Sequence, residues 1–321
     1  MPAPTLVSER LRATACGLLI GLAFAAQAED GPAACAATAA RPATDPRVAT
    51  LVAQAIDQHR QFGRQEIDIE GRLVRAGHGE AEFDRNPGDP EPAWRKVQRF
   101  WQGWTPGGQA LRIRDSQGRA QRADLLRQAV QGASAARLES FGGGERELGL
   151  SERETDAIQT SLLRASLIDV PWSAVFISYL VRSAGFTEDD FLFSDAHADY
   201  ARNSFAGRGA WRACDAAVTP PRPGDLLCNT RARAATIDTF EALGETLRGG
   251  GSLPMHCDLV VVADAAARQA QTVGGNVLQS VTRRRLELLP SGALSPRYRD
   301  NAASAEASFN DQPWVLLMQL R

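Results

Sequence analysis

Apolar positions recur at helical spacing through the first ordered-looking stretch of the chain. Val48, Leu51, Val52, Ala55, Ile56 and Phe62 share one face, which predicts an amphipathic helix. Asp45-Pro46 supplies a capping side chain and a proline at the first helical position. Gly63 ends the run. Residues 76–92 are polar with Gly and Pro and read as a loop. Trp94, Val97, Trp101 and Trp104 follow at spacings of 3, 4 and 3. That stripe is a core face, or the lining of a groove. Residues 105–150 read as a loop, a short helix around Asp124–Val130, and a Gly142-Gly143-Gly144 tract. Ser151 and Glu154 form a capping box for a helix to about Leu167. Val170-Pro171 breaks it, and a second helix starts at Trp172. That helix carries Ala174, Val175, Ile177, Leu180 and Val181 and stops at Gly185.

Beyond this point the period shifts toward two. GDLLCN (224–229), HCDLVVVAD (256–264), QAQTVGGN (269–276), RRLELL (284–289) and PWVLLMQL (313–320) read as strands between turn residues. Residues 231–254 form a long insertion ending in Gly249-Gly250-Gly251, as a lid or a disordered loop would. Helices first and an antiparallel-looking sheet second make an α+β pattern rather than alternating βαβ units.

The amino terminus reads as an address. Arg10 and Arg12 precede the apolar run CGLLIGLAFAA (16–26), and Ala26-Gln27-Ala28 fits a small-x-small cleavage site. This predicts a signal peptide over 1–28. A flexible Ala/Pro/Thr linker follows over 29–46, and a single domain over 47–321. The run is too short to span a bilayer, so no stable membrane span is expected after cleavage. A periplasmic or secreted location follows. Cleavage leaves Cys35, Cys214, Cys228 and Cys257. An even count in an exported chain suggests disulfides. Cys228 and Cys257 sit in two strand-like segments and are the favoured pair, with Cys35–Cys214 as the remainder; buried free thiols are the alternative. No CxxC pair exists, so no zinc site is expected.

Composition adds little. The 321 residues carry 36 Lys+Arg against 38 Asp+Glu, a net charge of −2, with 44% hydrophobic residues. That excludes a disordered chain and makes a nucleic-acid binder a poor default. Lys96 is the single lysine; Arg supplies the remaining cations.

Candidate chemistry gathers late in the chain. His59 and His78 read as solvated. His256 opens the most apolar strand. His197 lies in the polar cluster Ser194-Asp195-Ala196-His197-Ala198-Asp199-Tyr200. Ser173 stands in the first turn of its helix, where free backbone N–H groups can receive an oxyanion; a capping serine is the plainer reading. A nucleophilic Ser needs a base and the base an orienting partner, roles open to His256 and Asn276. His197 and Tyr200 suit a cleft rim beside Ser173, or a network tying helix to sheet. Arg231 suits a substrate carboxylate, or the surface. Asp258 either points outward or orients a cleft histidine.

The segments PWSAVFISYLVRSAGF (171–186), RPGDLLC (222–228), HCDLVVV (256–262) and VGGN (273–276) resemble the papain-like amidases and endopeptidases of bacterial cell walls, the NlpC-type and CHAP groups. WSAVFIS, FSDAHADY, PGDLLC, HCDLVV, GGNV and PWVLL more closely resemble an uncharacterised bacterial group, domain of unknown function 2272. The resemblance runs over roughly 47–321 and is most specific at 171–276. It implies a papain-like fold with Ser173 at the position of a catalytic Cys, His256 as the base and Asn276 as the polar residue after it. Trp172, Ser194, His197, Tyr200, Arg231 and Asp258 would line the substrate site. In CHAP enzymes a Glu often precedes that Asn by two residues; here Gly274 stands there. The change from sulfur to oxygen removes the thiolate–imidazolium pair on which papain-type sites work. The resemblance implies peptidoglycan or a cell-wall peptide as partner and no cofactor. The alternative is a catalytically degenerate relative that binds peptidoglycan or an envelope protein.

Overall fold

The computed structural model describes residues 31–79, 91–104, 153, 164, 170–298 and 308–321. The expected signal peptide, the elements expected within 105–150 and, but for residues 153 and 164, the helix expected at 151–167 lie outside these. Among the described residues the helices are α1 (Pro32–Ala39), α2 (Arg47–Gln61), α3 (Ala93–Gly103), α4 (Ser173–Ser183), α5 (His197–Phe205) and α6 (Phe240–Arg248). The strands are β1 (Gln65–Ile67), β2 (Leu73–Arg75), β3 (Trp211–Asp215), β4 (Leu226–Thr230), β5 (Met255–Asp264), β6 (Gln269–Val277), β7 (Ser280–Glu287) and β8 (Trp314–Leu320). They form one sheet in the order β2-β1-β7-β6-β5-β4-β8-β3. Every pairing is antiparallel except β1 with β7. The architecture is α+β, as the order of periodicities implies.

Helix α4 is the central helix. Ala174, Val175, Phe176, Ile177, Leu180 and Val181 are all buried, so it is enclosed rather than amphipathic. It packs on β5 and β6 on one side and on α3 on the other. Phe62, Phe100, Trp172 and Phe176 form an aromatic cluster with centroids 5.2–6.2 Å apart. The Trp94 stripe is a core face: Trp94, Val97, Phe100 and Trp101 are buried.

Three expectations change. Residues 32–39 are helical rather than a flexible linker: Pro32 opens α1 and the Cys35–Cys214 disulfide pins it to β3. The insertion at 231–254 is a packed element. Thr239 caps α6 by accepting from the Ala242 N–H, Leu243 and Leu247 are buried, and Phe240 stacks on Phe205 at 4.9 Å. His59 is buried, its Nε2 2.9 Å from the Gln65 carbonyl, so it is not a solvated histidine; His78 is half-buried, its ring against Gly63.

The Pro-Gly-Asp turn before β4 is a structural clamp. The Asp225 carboxylate, wholly buried, accepts from the Arg222 N–H at 2.8 Å and the Leu320 N–H at 2.9 Å. The Arg222 guanidinium donates to the carbonyls of Thr38, Arg41 and Leu320. One turn thus joins the start of β4, the end of β8 and the tail of α1.

Candidate functional site

Strand β5 places the chemistry. His256 and Asp258 are two residues apart in extended backbone and share a face. His256 Nε2 lies 2.7 Å from Asp258 Oδ1. The other carboxylate oxygen accepts from Thr272 Oγ1 at 2.9 Å and forms an ion pair with Arg284 Nε at 3.1 Å. Three neighbouring strands, β5, β6 and β7, therefore converge on one carboxylate. Burial alone would raise the Asp258 carboxyl, but His256, Arg284 and Thr272 hold it below the ordinary carboxylate range. Arg284 is buried and also donates to the Phe309 carbonyl. Its permanent charge keeps Asp258 ionised whether His256 is protonated or neutral.

An ionised carboxylate only accepts, so His256 Nε2 carries the hydrogen and Nδ1 keeps a lone pair. Burial pushes the imidazole below its usual range against the pull of Asp258, with Arg284 and Arg231 adding to the effect. The ring is neutral at pH 7 and can take a proton.

Ser173 comes from the other direction. Trp172 is the cap residue of α4 and Ser173 its first helical residue; the first intrahelical amide to find a partner is that of Phe176, at 2.9 Å from the Trp172 carbonyl. Among the described residues the N–H groups of residues 173–175 meet no backbone acceptor, as the donors of a first turn do. Ser173 Oγ lies 2.7 Å from His197 Nε2. His197 opens α5, and its Nδ1 meets the Tyr200 hydroxyl one turn along. Neutral His197 carries one ring hydrogen; we place it on Nε2, with Nδ1 accepting from the Tyr200 hydroxyl. Nε2–H then donates to Ser173 Oγ. The His197 and His256 rings meet edge to face with centroids 5.3 Å apart. Burial holds His197 neutral, well below the ordinary histidine range; a proton on His256 would lower it further, as does the charge of Arg231.

Ser173, His197 and His256 thus form one cluster with Asp258 behind it. All three are nearly closed off: Ser173 is 2% and His256 5% exposed. Sequence reasoning paired Ser173 with His256 directly; the structure inserts His197 on the serine. It also gives the partner role expected of Asn276 to Asp258. Asn276 lies at φ 56° where the β6–β7 register shifts. A Cβ on Gly274 would come within 1.8 Å of Asp258 Oδ1 and 3.0 Å of His256 Nε2. The space that a side chain at 274 would need is filled by the Asp258 carboxylate, reaching in from β5. We expect Gly274→Ala to displace that carboxylate and to cost about 1–3 kcal/mol, as overpacking does. Chemical denaturation would show the loss, and unchanged stability would mean the carboxylate is not held there.

The remaining expected site residues divide. Trp172 is fully buried in the aromatic cluster and is core, not substrate lining. Tyr200 is buried behind His197 rather than on a rim. Ser194 caps its own loop: its Oγ accepts from the Ala196 N–H at 3.1 Å and donates to Asp199 at 2.7 Å. Its carbonyl accepts from Ser178 Oγ of α4 at 2.8 Å. That tie fixes α5 against α4 and so positions His197. Arg231 leaves the end of β4 beside the cluster. Sequence reasoning missed Thr272 and Arg284. Their signal was faint: Thr is common in strands, and Arg284 reads as one of three consecutive arginines. The Cys228–Cys257 disulfide forms between directly paired residues of β4 and β5, and Cys35–Cys214 is the second.

Two disulfides are consistent with export. No described helix is long and apolar enough to cross a membrane. No group of His, Cys, Asp and Glu among the described residues is arranged to hold a metal. Residues 88–320 match the family described as uncharacterized protein conserved in bacteria, DUF2272. No curated protein and no solved structure matches the chain.

Proposed function

Starting from a chain that belongs to the DUF2272 family, we propose an exported, papain-like hydrolase of cell-wall amide or peptide bonds, with Ser173 as nucleophile. The observation that carries this reading is the serine at the amino terminus of α4, hydrogen-bonded to one imidazole and adjoining a second that a buried carboxylate orients. His256 takes the serine proton on its bare Nδ1, and Asp258 holds the ring and stabilises the imidazolium. His197, backed by Tyr200, sets the orientation of the serine hydroxyl. The first-turn N–H groups of α4 receive the oxyanion. Peptidoglycan as substrate and the periplasm as location rest on the resemblance of the 171–276 segments and on the disulfides.

The test is release of soluble fragments from purified sacculi by the wild-type protein, by Ser173→Ala and by Ser173→Cys. We expect release by the wild type and none by the Ala variant. A second reading, a non-hydrolytic peptidoglycan binder, is favoured by the near-complete burial of Ser173 and His256. Binding without release by all three proteins would establish it and end the hydrolase reading. Release by the Cys variant alone would show a competent scaffold whose natural role is not hydrolysis.

A further inference from the structure

Arg231 continues the line of β4 past its last residue. Asn229 stands opposite His256 and Thr230 opposite Met255. The Arg231 N–H donates to the Pro254 carbonyl at 3.1 Å, and the residue is extended, with φ −146° and ψ 167°. Alternation therefore puts Arg231 on the same side as Asn229 and His256, two residues along. Its charge acts on both cluster imidazoles. The guanidinium is half-buried, and burial lowers its pKa.

A guanidinium taken partly out of water needs a counter-ion or hydrogen bonds to offset its desolvation. Among the described residues Arg231 has neither from a side chain. The acids around the cluster are already engaged. Asp258 holds His256, Thr272 and Arg284, and Asp199 holds Ser194 and Arg202. The two imidazoles beside it are neutral, so nothing in the cluster itself balances the charge.

We infer that Arg231 is the anion subsite of this cluster and takes a free carboxylate lying close to the scissile carbonyl. The guanidinium fork matches a carboxylate with two parallel N–H donors; on the hydrolase reading the group offered to Ser173 is the amide carbonyl three bonds from the carboxylate carbon, across the nitrogen and the α-carbon. Naming this ligand a substrate rests on the hydrolase reading above; the binding itself does not. The site thus selects acyl compounds with a carboxylate next to the amide over their neutral counterparts.

The experiment is a titration of the full protein, followed by the imidazole NMR signals of His197 and His256. The probes are N-acetylglycine, its neutral twin N-acetylglycinamide, and inorganic phosphate. N-acetylglycine should bind about tenfold or more tightly than the amide, as a charge-assisted fork requires, and more tightly than phosphate. Arg231→Gln should remove that preference, and Arg231→Lys should keep part of it. Equal binding of acid and amide to the wild type overturns the inference without any variant having to fold. So does a preference for phosphate, an absence of binding, or a preference that survives in Arg231→Gln. The same titration on Ser173→Ala separates the two claims. Carboxylate binding retained there, with no sacculus release by the wild type, would strike the hydrolase reading and leave the anion subsite standing.

Discussion

Replacing Asp258 by Ala should destabilise the protein by about 3–5 kcal/mol, the cost of removing one partner of a buried ion pair. The carboxylate is fully buried and serves three strands at once: His256 on β5, Thr272 on β6 and Arg284 on β7. Its loss leaves the Arg284 charge buried without its acid and frees the His256 ring to rotate. Asp258→Asn keeps the shape and the Thr272 contact, so its loss should be smaller. Urea unfolding of the three proteins reads the difference. An alanine variant within 1 kcal/mol of wild type would mean that water already reaches the pair, and the low-dielectric description of the cluster would fail.

The largest expected loss comes from the other end of the chain. Cys35–Cys214 closes a sequence separation of 179 residues. By the chain-entropy relation such a cross-link is worth about 5 kcal/mol, more than a short loop can give. Cys228–Cys257 closes only 29. Cys35→Ser with Cys214→Ser should therefore lower the melting temperature more than Cys228→Ser with Cys257→Ser, by roughly 10–20 °C for the former. The reverse ranking would locate the stabilising effect of the bonds in native packing rather than in the unfolded chain.

The fold was legible where one periodicity dominates. α2 follows from its one apolar face, and α4 and five of the strands from apolar runs between turn residues, although β7 begins at Ser280, four residues before the RRLELL segment. Strands β1, β2 and β3 were not anticipated. β1 and β2 have three residues each, too few for alternation to show. β3 is a five-residue edge strand whose one partner is β8. The helical character of 32–39 was hidden because Ala, Pro and Thr also make linkers; what orders it is a disulfide to a residue 179 positions away. The insertion at 231–254 carried a capping Thr239 and an apolar face at Leu243 and Leu247, outweighed by its terminal glycines.

The site was legible as residue types and not as pairings. Ser173, His197, His256 and Asp258 were all singled out, since polar side chains at a helix start and in an apolar strand stand out. Who meets whom depends on how α5 docks on α4, and that is set by the Ser178–Ser194 hydrogen bonds across 16 residues. Trp172 was misplaced because an aromatic beside a candidate nucleophile looks the same in sequence whether it lines a groove or fills a core. The resemblance and the order of the strands point to Asn276 as the partner, whereas the residue that reaches His256 lies two positions along the same strand.

The central claim is that Ser173 is a nucleophile made reactive by the histidine cluster. The most direct measurement is covalent labelling of the full protein with a fluorophosphonate, with the modified residue located by peptide mass spectrometry. The account predicts a single adduct on Ser173, lost in Ser173→Ala and slowed at least a hundredfold in His256→Gln, in line with the typical contribution of a positioned base. An unlabelled Ser173, or labelling that proceeds at the same rate without His256, would contradict it.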